Sequence, residues 1–364
     1  MVLETDADLA DPTVAELVAA IEPEWHVQRI RRYESGTDFV ARVSLAGRHA
    51  PRRVVLKATT AGLVEPACAR TEPLMLRALA DEPLIPVPRL YGAVQDHPDF
   101  PAPFYLVEWK HGQLIEDDDR IPESRRRSIM RQAGRILAQL HEQFEFDRFG
   151  SLEATDDHIQ VLDTDESPAY DEFGAWLWNS ANDALAALES GGGYFPDMAT
   201  VEGRFTDLVD PARTVLEQQT GQLAVPESPT VCHTDFRFGN LLVDPLAGRI
   251  TAVLDWANLL AGDPLYDLAF AESMLLAPER DGPQLTGTLR NDIRTSYVVH
   301  RPGFTIDESA QERVSLYQFV WRLHAMACLP LWYQHISAEA RDKREGEHRA
   351  AVKRYLDRHS MVSS

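Results

Sequence analysis

The feature that most constrains this chain is a set of polar residues placed between two apolar runs. His233, Asp235 and Asn240 form the pattern H-x-D-x4-N, and Asp255 stands fifteen residues after Asn240, at the end of Ile250–Leu254. Leu241–Val243 and Ile250–Leu254 read as strands, with Asp244-Pro245 and Ala247-Gly248 as the turn between them. A hairpin of that length folds back on itself. Asn240 and Asp255 are then expected side by side, with Asp235 on the loop that enters the hairpin.

Those residue types suit one kind of chemistry. Phosphoryl transfer asks little covalent help of a protein: the nucleotide is held, its charge neutralised by divalent metal, and the acceptor hydroxyl aimed in line. Mg²⁺ takes hard oxygen ligands, commonly one or two carboxylates, with nucleotide phosphates supplying more. The amide oxygen of Asn240 and the carboxylate of Asp255 meet that demand. Asp235 remains to accept the hydroxyl's hydrogen bond and proton.

The pattern resembles the catalytic and metal loops of the protein-kinase-like superfamily, and more narrowly the aminoglycoside phosphotransferase family of small-molecule kinases. Asp255-Trp256 replaces the Asp-Phe-Gly of eukaryotic protein kinases, and Gly262-Asp263-Pro264 with Asp267 follows. Both features favour the small-molecule branch. The resemblance implies an α+β, bilobal fold, with a small, mainly antiparallel-sheet lobe over residues 1–110 and a larger, mostly helical lobe over 111–364. It implies ATP between the lobes, Mg²⁺ on Asn240 and Asp255, and Asp235 as catalytic base. Asp267 is expected to brace the catalytic loop through backbone N–H groups.

Before residue 110 the pattern is a leading helix over 9–21, with Asp11 as its cap, and then strands at Val27–Tyr33, Phe39–Leu45, Arg53–Ala58, Pro86–Gly92 and Phe104–Glu108. Ser35, Gly36 and Thr37 lie between the first two strands, where kinase-like folds set a turn over the nucleotide phosphates. Asp38 follows where family members often carry Asn, so its carboxylate is expected to point away from them. Val54-Val-Leu-Lys57 resembles the third-strand V-x-x-K, which offers Lys57 to the phosphates; a lysine snorkelling from a strand end is the plain alternative. Its carboxylate partner is expected in a helix over Ala67–Ala80. Glu72 is preferred to Glu65, and Pro73 requires Glu72 to sit in the first turn. Glu108-Trp-Lys-His-Gly112 resembles the hinge, with the Glu108 carbonyl and Lys110 N–H as adenine contacts. The segments from Pro86 to Gly112 and from His233 to Leu242 also resemble phosphotransferase domains related to those fused to acyl-CoA dehydrogenases.

Beyond Gly112 helical periodicity takes over: 125–142, 173–188, 263–276, 314–332 and 337–358. His141 is expected to be a buried structural histidine near the catalytic segment. Trp176, Trp178, Trp321, Arg322 and His324 either pack the core, the default, or flank the acceptor. Glu153, Asp156, Asp157, Asp163, Asp165, Glu166, Asp171 and Glu172 form an acidic run. In the resembled family such a run holds cationic drugs, and in most proteins it is simply solvated.

The net charge of −21 argues against nucleic acid as a partner. No apolar run approaches a membrane span, and the N-terminus has neither the basic nor the apolar region of a signal peptide, so a cytoplasmic location is expected. Lys57, Lys110, Lys343 and Lys353 are the only lysines; an acidic, lysine-poor chain suits a high-salt cytoplasm, and coding bias toward arginine would not explain the acidity. Cys68, Cys232 and Cys328 lack metal-ligand spacing and read as reduced core residues. The expected function is an ATP/Mg²⁺-dependent phosphotransferase acting on a small-molecule hydroxyl, a metabolic kinase ahead of an antibiotic-modifying enzyme. The rival from another class is a nucleotide-binding pseudokinase or sensor.

Overall fold

The computed structural model describes residues 9–33, 38–60, 66–115, 121–155, 158–191, 193–194, 204–332 and 336–360. Ser35, Gly36, Thr37, Glu65, Asp156 and Asp157 lie outside them.

Helix α1 (Asp11–Ile21) leads into β1 (Trp25–Arg32), β2 (Phe39–Gly47) and β3 (Arg53–Ala58). The short α2 (Pro66–Ala69) and α3 (Thr71–Ala78) follow, then β4 (Leu90–Val94) and β5 (Phe104–Glu108). The five strands form one antiparallel sheet in the order β1-β2-β3-β5-β4. Strand alternation sends successive side chains to opposite faces. One face carries Ala41, Val43, Val54, Leu56, Phe104 and Leu106, which form a core with Val14, Leu17 and Val18 of α1. On the other face Val40, Lys57 and Tyr105 stand in register. Tyr105 and Val107 there join a second, larger core shared with the helical half. Lys57 thus projects from the face turned toward the rest of the molecule.

The α1 cap differs from expectation. Ala10 holds the N-cap position, and Asp11, inside the first turn, accepts from Arg32 at 2.7 Å. Strand β4 begins at Leu90, later than the apolar run suggests, because two prolines, Pro86 and Pro88, precede it and cannot donate to a ladder.

The helical half comprises α4 (Glu123–Leu140), α5 (Phe173–Glu189), α6 (Thr206–Thr220), α7 (Pro264–Leu275), α8 (Pro278–Val299), α9 (Glu308–Ala327), the short α10 (Leu329–Trp332) and α11 (Ala338–Ser360). Helices α4 and α8 approach closely at Gly134, where a Cβ would meet the Ile293 carbonyl oxygen at 2.1 Å. The apolar run over 314–332 is not one helix; it breaks at Cys328. A four-stranded sheet also lies in this half, in the order β7-β6-β11-β8: β6 (Gly150–Thr155), β7 (His158–Val161), β8 (Thr230–Cys232) and β11 (Leu260–Gly262). Its strands have three to six residues, too short for periodicity to reveal.

The hairpin forms from β9 (Leu241–Asp244) and β10 (Arg249–Val253). Asp244 closes its turn by accepting from Leu246 N at 3.0 Å and Ala247 N at 3.1 Å. Gly248 adopts φ +62°, the left-handed region that favours glycine. Among the described residues no helix is long and apolar enough to cross a membrane.

Candidate active site

The hairpin brings the expected residues together at one place. Leu254 N donates to the Asn240 carbonyl at 2.8 Å, so Asn240 and Asp255 emerge from neighbouring points of the ribbon. The Asn240 amide nitrogen donates to the Asp235 backbone oxygen at 3.0 Å and to its Oδ2 at 2.6 Å. With that nitrogen spent on Asp235, the Oδ1 of Asn240 is the atom it can offer outward. Asp255 Oδ1 accepts from Lys57 Nζ at 2.7 Å, and the Asp255 side chain keeps 44% of its surface open. Two hard oxygens, Asn240 Oδ1 and Asp255 Oδ2, therefore remain as ligands for a divalent cation, and the donor set fits Mg²⁺.

Lys57 ties the two halves together. Its Nζ donates both to Asp255 and, at 2.7 Å, to Glu72 Oε2. Burial works to lower its pKa, but the charges of Glu72 and Asp255, with Tyr105, outweigh it and hold the ammonium well above its usual value. Glu72 lies in the first turn of α3, buried, where a proline is tolerated at the next position because helix starts leave N–H groups unpaired anyway. Burial acts to raise Asp255, and the Lys57 ammonium more than reverses it, so Asp255 stays ionised below the ordinary carboxylate range.

Asp235 differs. Burial lifts its pKa above the usual value, with Arg237 opposing and Asp255 assisting. Arg237 Nε donates to both Asp235 oxygens, at 2.9 and 3.1 Å, and its side chain is 46% exposed. Sequence reasoning passed over this residue; its i+2 spacing from Asp235 was the available signal. The backbone at both loops is unusual. Thr234 and Asp255 take φ +61° and +67°, an uncommon region for non-glycine residues that clusters at functional sites.

Beneath the loop sits a hydrogen-bonded brace. Asp267 accepts from His233 N and Thr234 N, each at 2.8 Å, and from His141 Nε2 at 3.2 Å. The other His141 nitrogen meets the Tyr297 hydroxyl at 2.8 Å. Burial tends to raise Asp267, yet these donors leave it lowered, while burial dominates at His141 and lowers it. Asp263 caps α7 by accepting from Leu265 N at 2.9 Å, and also takes Arg313 Nη1 at 2.8 Å. His233 Nε2 faces the Leu254 carbonyl at 3.1 Å and Nδ1 accepts from Asp235 N at 3.3 Å, which sets Nε2–H as the tautomer. His233 packs between Phe236 and Trp256, so Trp256 fills the position after Asp255 as a buried ring. Cys232 is fully buried and its thiol is pushed well above the usual value by burial. It is no nucleophile.

Other residues singled out in the sequence lie as follows. The Asp38 carboxylate accepts from Thr60 N at 3.1 Å, at the end of β3. Glu108 stands opposite Val54, so its side chain lies on the sheet face away from Lys57, and it pairs with Lys110 at 3.2 Å. Glu108, Trp109, Lys110 and His111, with Arg249, Ile250 and Thr251, line a cavity of about 370 Å³. Trp109, overlooked in the sequence, sits under the guanidinium groups of Arg53 and Arg42, at 4.8 and 5.7 Å from its ring centre. Trp176 stacks on Phe173, as core packing requires. His324 instead meets Tyr194 OH at 2.8 Å and Ser180 Oγ at 3.2 Å. Cys328, at the end of α9, has its thiol raised to about 12 by burial and by the charge of Asp235. In the acidic run, Asp163 and Asp171 pair with Arg148, and Asp165 and Glu166 are exposed.

The model of the phosphotransferase enzyme family (APH) matches residues 29–302. Acyl-CoA dehydrogenase family member 10 of Mus musculus is 24% identical over 241 residues, covering 62% of this chain and 18% of that protein. Acyl-CoA dehydrogenase family member 11 of Gallus gallus is 26% identical over 237 residues, covering 64% and 25%. The chain thus spans about a quarter or less of these relatives' length. Among solved structures, a thermostable mutant of aminoglycoside phosphotransferase APH(4)-Ia, in ternary complex with AMP-PNP and hygromycin B, superposes with a TM-score of 0.63 at 14% identity, over 94% of this chain and 98% of that one. The microcompartment-associated aminopropanol kinase superposes with a TM-score of 0.60 at 18% identity, over 96% and 98%. At these identities the likeness establishes the fold: a kinase-like architecture with an antiparallel-sheet half and a helical half.

Proposed function

The chain belongs to the phosphotransferase enzyme family, and from that premise we propose that it is a small-molecule kinase. In this reading residues 1–110 form the nucleotide-binding lobe and 111–364 the catalytic and acceptor lobe. The enzyme transfers the γ-phosphoryl group of ATP to a hydroxyl of a small metabolite.

Each residue has a role. Asp235 receives the acceptor hydroxyl's hydrogen bond and then its proton; a carboxylate with a raised pKa is the better base near neutral pH. Asn240 fixes that carboxylate through its 2.6 Å hydrogen bond. Lys57, placed by Glu72, turns its ammonium toward the phosphates. The Glu108 carbonyl and Lys110 N–H meet the adenine edge, and Ser35, Gly36 and Thr37 cover the phosphates. Asn240 and Asp255 would hold Mg²⁺, which would supply charge neutralisation at the transferring group.

The observation that carries the reading is the double engagement of Lys57, which joins Glu72 of the sheet half to Asp255 of the ribbon. A metabolic acceptor is favoured over a polycationic drug because Arg237 puts a guanidinium on the base itself. Within the acidic run, moreover, Asp163 and Asp171 are paired with Arg148, and Asp165 and Glu166 face solvent. The test is ATP consumption by the purified protein across sugars, amino alcohols, hydroxyacyl thioesters and aminoglycosides. Turnover with an uncharged or anionic alcohol is expected. Turnover with aminoglycosides alone would make it a resistance-type enzyme, and Mg²⁺–ATP binding without turnover across the panel would make it a sensor.

A further inference from the structure

A second cavity, of about 180 Å³, opens among α7, α8, α9 and α11, lined by Arg290, Arg322, Arg354 and Arg358. Four arginines around one small space are unexpected on a chain of net charge −21. Like charges at close range repel, so such a group needs compensation.

The cavity's own acid is already engaged, and Arg354 and Arg358 are the two guanidiniums on which the site turns. Glu272, with its side chain fully buried, is held by Arg294 at 2.5 and 2.8 Å and by Gln318 at 3.0 Å, and reaches Arg290 only at 3.5 Å. Arg322 contacts His348 Nδ1 at 3.4 Å, and burial with Arg322 and Arg344 nearby lowers His348 to about 3, so this neighbour is neutral. Arg354 and Arg358, one turn apart on α11 and exposed, have no carboxylate partner among the described residues. The wall beside them is apolar: Phe319 and Tyr355 stack at 4.2 Å with 10° between ring planes.

Guanidinium forks match phosphate oxygens two at a time, which is why arginine is the residue of phosphate recognition. The space is smaller than the ~300–1,000 Å³ of typical ligand pockets. We propose that this arginine-lined cavity binds a single phosphate group, carried by inorganic phosphate or by a small phosphomonoester seated on the Phe319–Tyr355 wall. The site is separate from the nucleotide cleft. It sits at the far end of α7, the helix whose first turns carry Asp263 and Asp267 beneath the catalytic loop.

Calorimetric titration tests this with inorganic phosphate, glycerol 3-phosphate and, at matched ionic strength, chloride. The wild-type chain and Lys57→Ala should show the same saturating event with phosphate, since the cleft lysine is not involved. Arg354→Gln/Arg358→Gln should weaken it by about tenfold or more, the loss of at least one charge-assisted hydrogen bond, with ATP turnover retained. Tighter binding of glycerol 3-phosphate than of inorganic phosphate would identify the phosphomonoester as the source, and the reverse order the free ion. Binding lost in Lys57→Ala, binding unchanged in the arginine pair, or an equal response to chloride would each overturn the proposal.

Discussion

Asp267 and Asp235 stand on either side of one short loop, and their surroundings are opposite. Asp267 is fully buried and receives three donors, two from the loop backbone and one from His141. Asp235, at the mouth, is 32% exposed, is met by a mobile type of side chain, Arg237, and by Asn240, and has its pKa raised rather than lowered. Hydrogen bonds to a carboxylate stabilise its charge; burial without enough of them favours the proton. The comparison teaches which acids hold the loop and which are left able to react.

The sharpest way to break the comparison is at the mouth. Asp235→Asn keeps shape and most hydrogen bonds but cannot take a proton, so kcat should fall by ~10² to 10⁴-fold while the melting temperature stays put. Normal turnover of a good acceptor by this variant would remove Asp235 from the chemistry. Next comes the brace. Asp267→Ala strands three buried donors, and loss of one member of such a network costs ~3–5 kcal/mol. Urea unfolding should show that drop; a variant as stable as the parent would mean the loop is held by other contacts.

Acid acts through two other buried groups. His324 is lowered to about 4 by burial, and His348 to about 3 by burial with nearby arginines. The unfolded chain binds these protons near pH ~6.5, the native chain only near the lowered values. Stability is therefore full above ~6.5 and lost as pH falls toward 4 and then 3, by up to ~1.4 kcal/mol per pH unit for each histidine. A urea midpoint flat from pH 7 to pH 5 would contradict this. The smallest change is expected from Asp165→Asn/Glu166→Gln on the exposed acidic run: stability within ~0.5 kcal/mol and the same KM for the acceptor. A raised KM would place that run over the acceptor after all.

The hairpin and its four polar residues were legible because turn chemistry and β-branched runs are local signals, and β9–β10 pair almost as expected. Glu72 could be placed in a first turn because Pro73 leaves few other options, and α3 begins at Thr71. What stayed hidden depends on distant partners. The three-residue β8 and β11 exist because each pairs with the other and β11 with β6. Helix α8 kinks at Gly282, φ +72°, which breaks the period that would announce it. Arg237 looks like any surface arginine until Asp235 is seen beneath it. The break at Cys328 did have a local signal: Pro330, two residues on, cannot continue a helix.

In the proposed mechanism Asp255 and Asp235 divide the labour, one toward metal-bound nucleotide and one toward the acceptor. Calorimetric ATP binding with and without Mg²⁺, on the parent, Asp235→Asn and Asp255→Ala, reads that division directly. The parent and Asp235→Asn should share a Mg²⁺-enhanced affinity that Asp255→Ala lacks. Mg²⁺ enhancement intact in Asp255→Ala, or absent in the parent, would contradict the account.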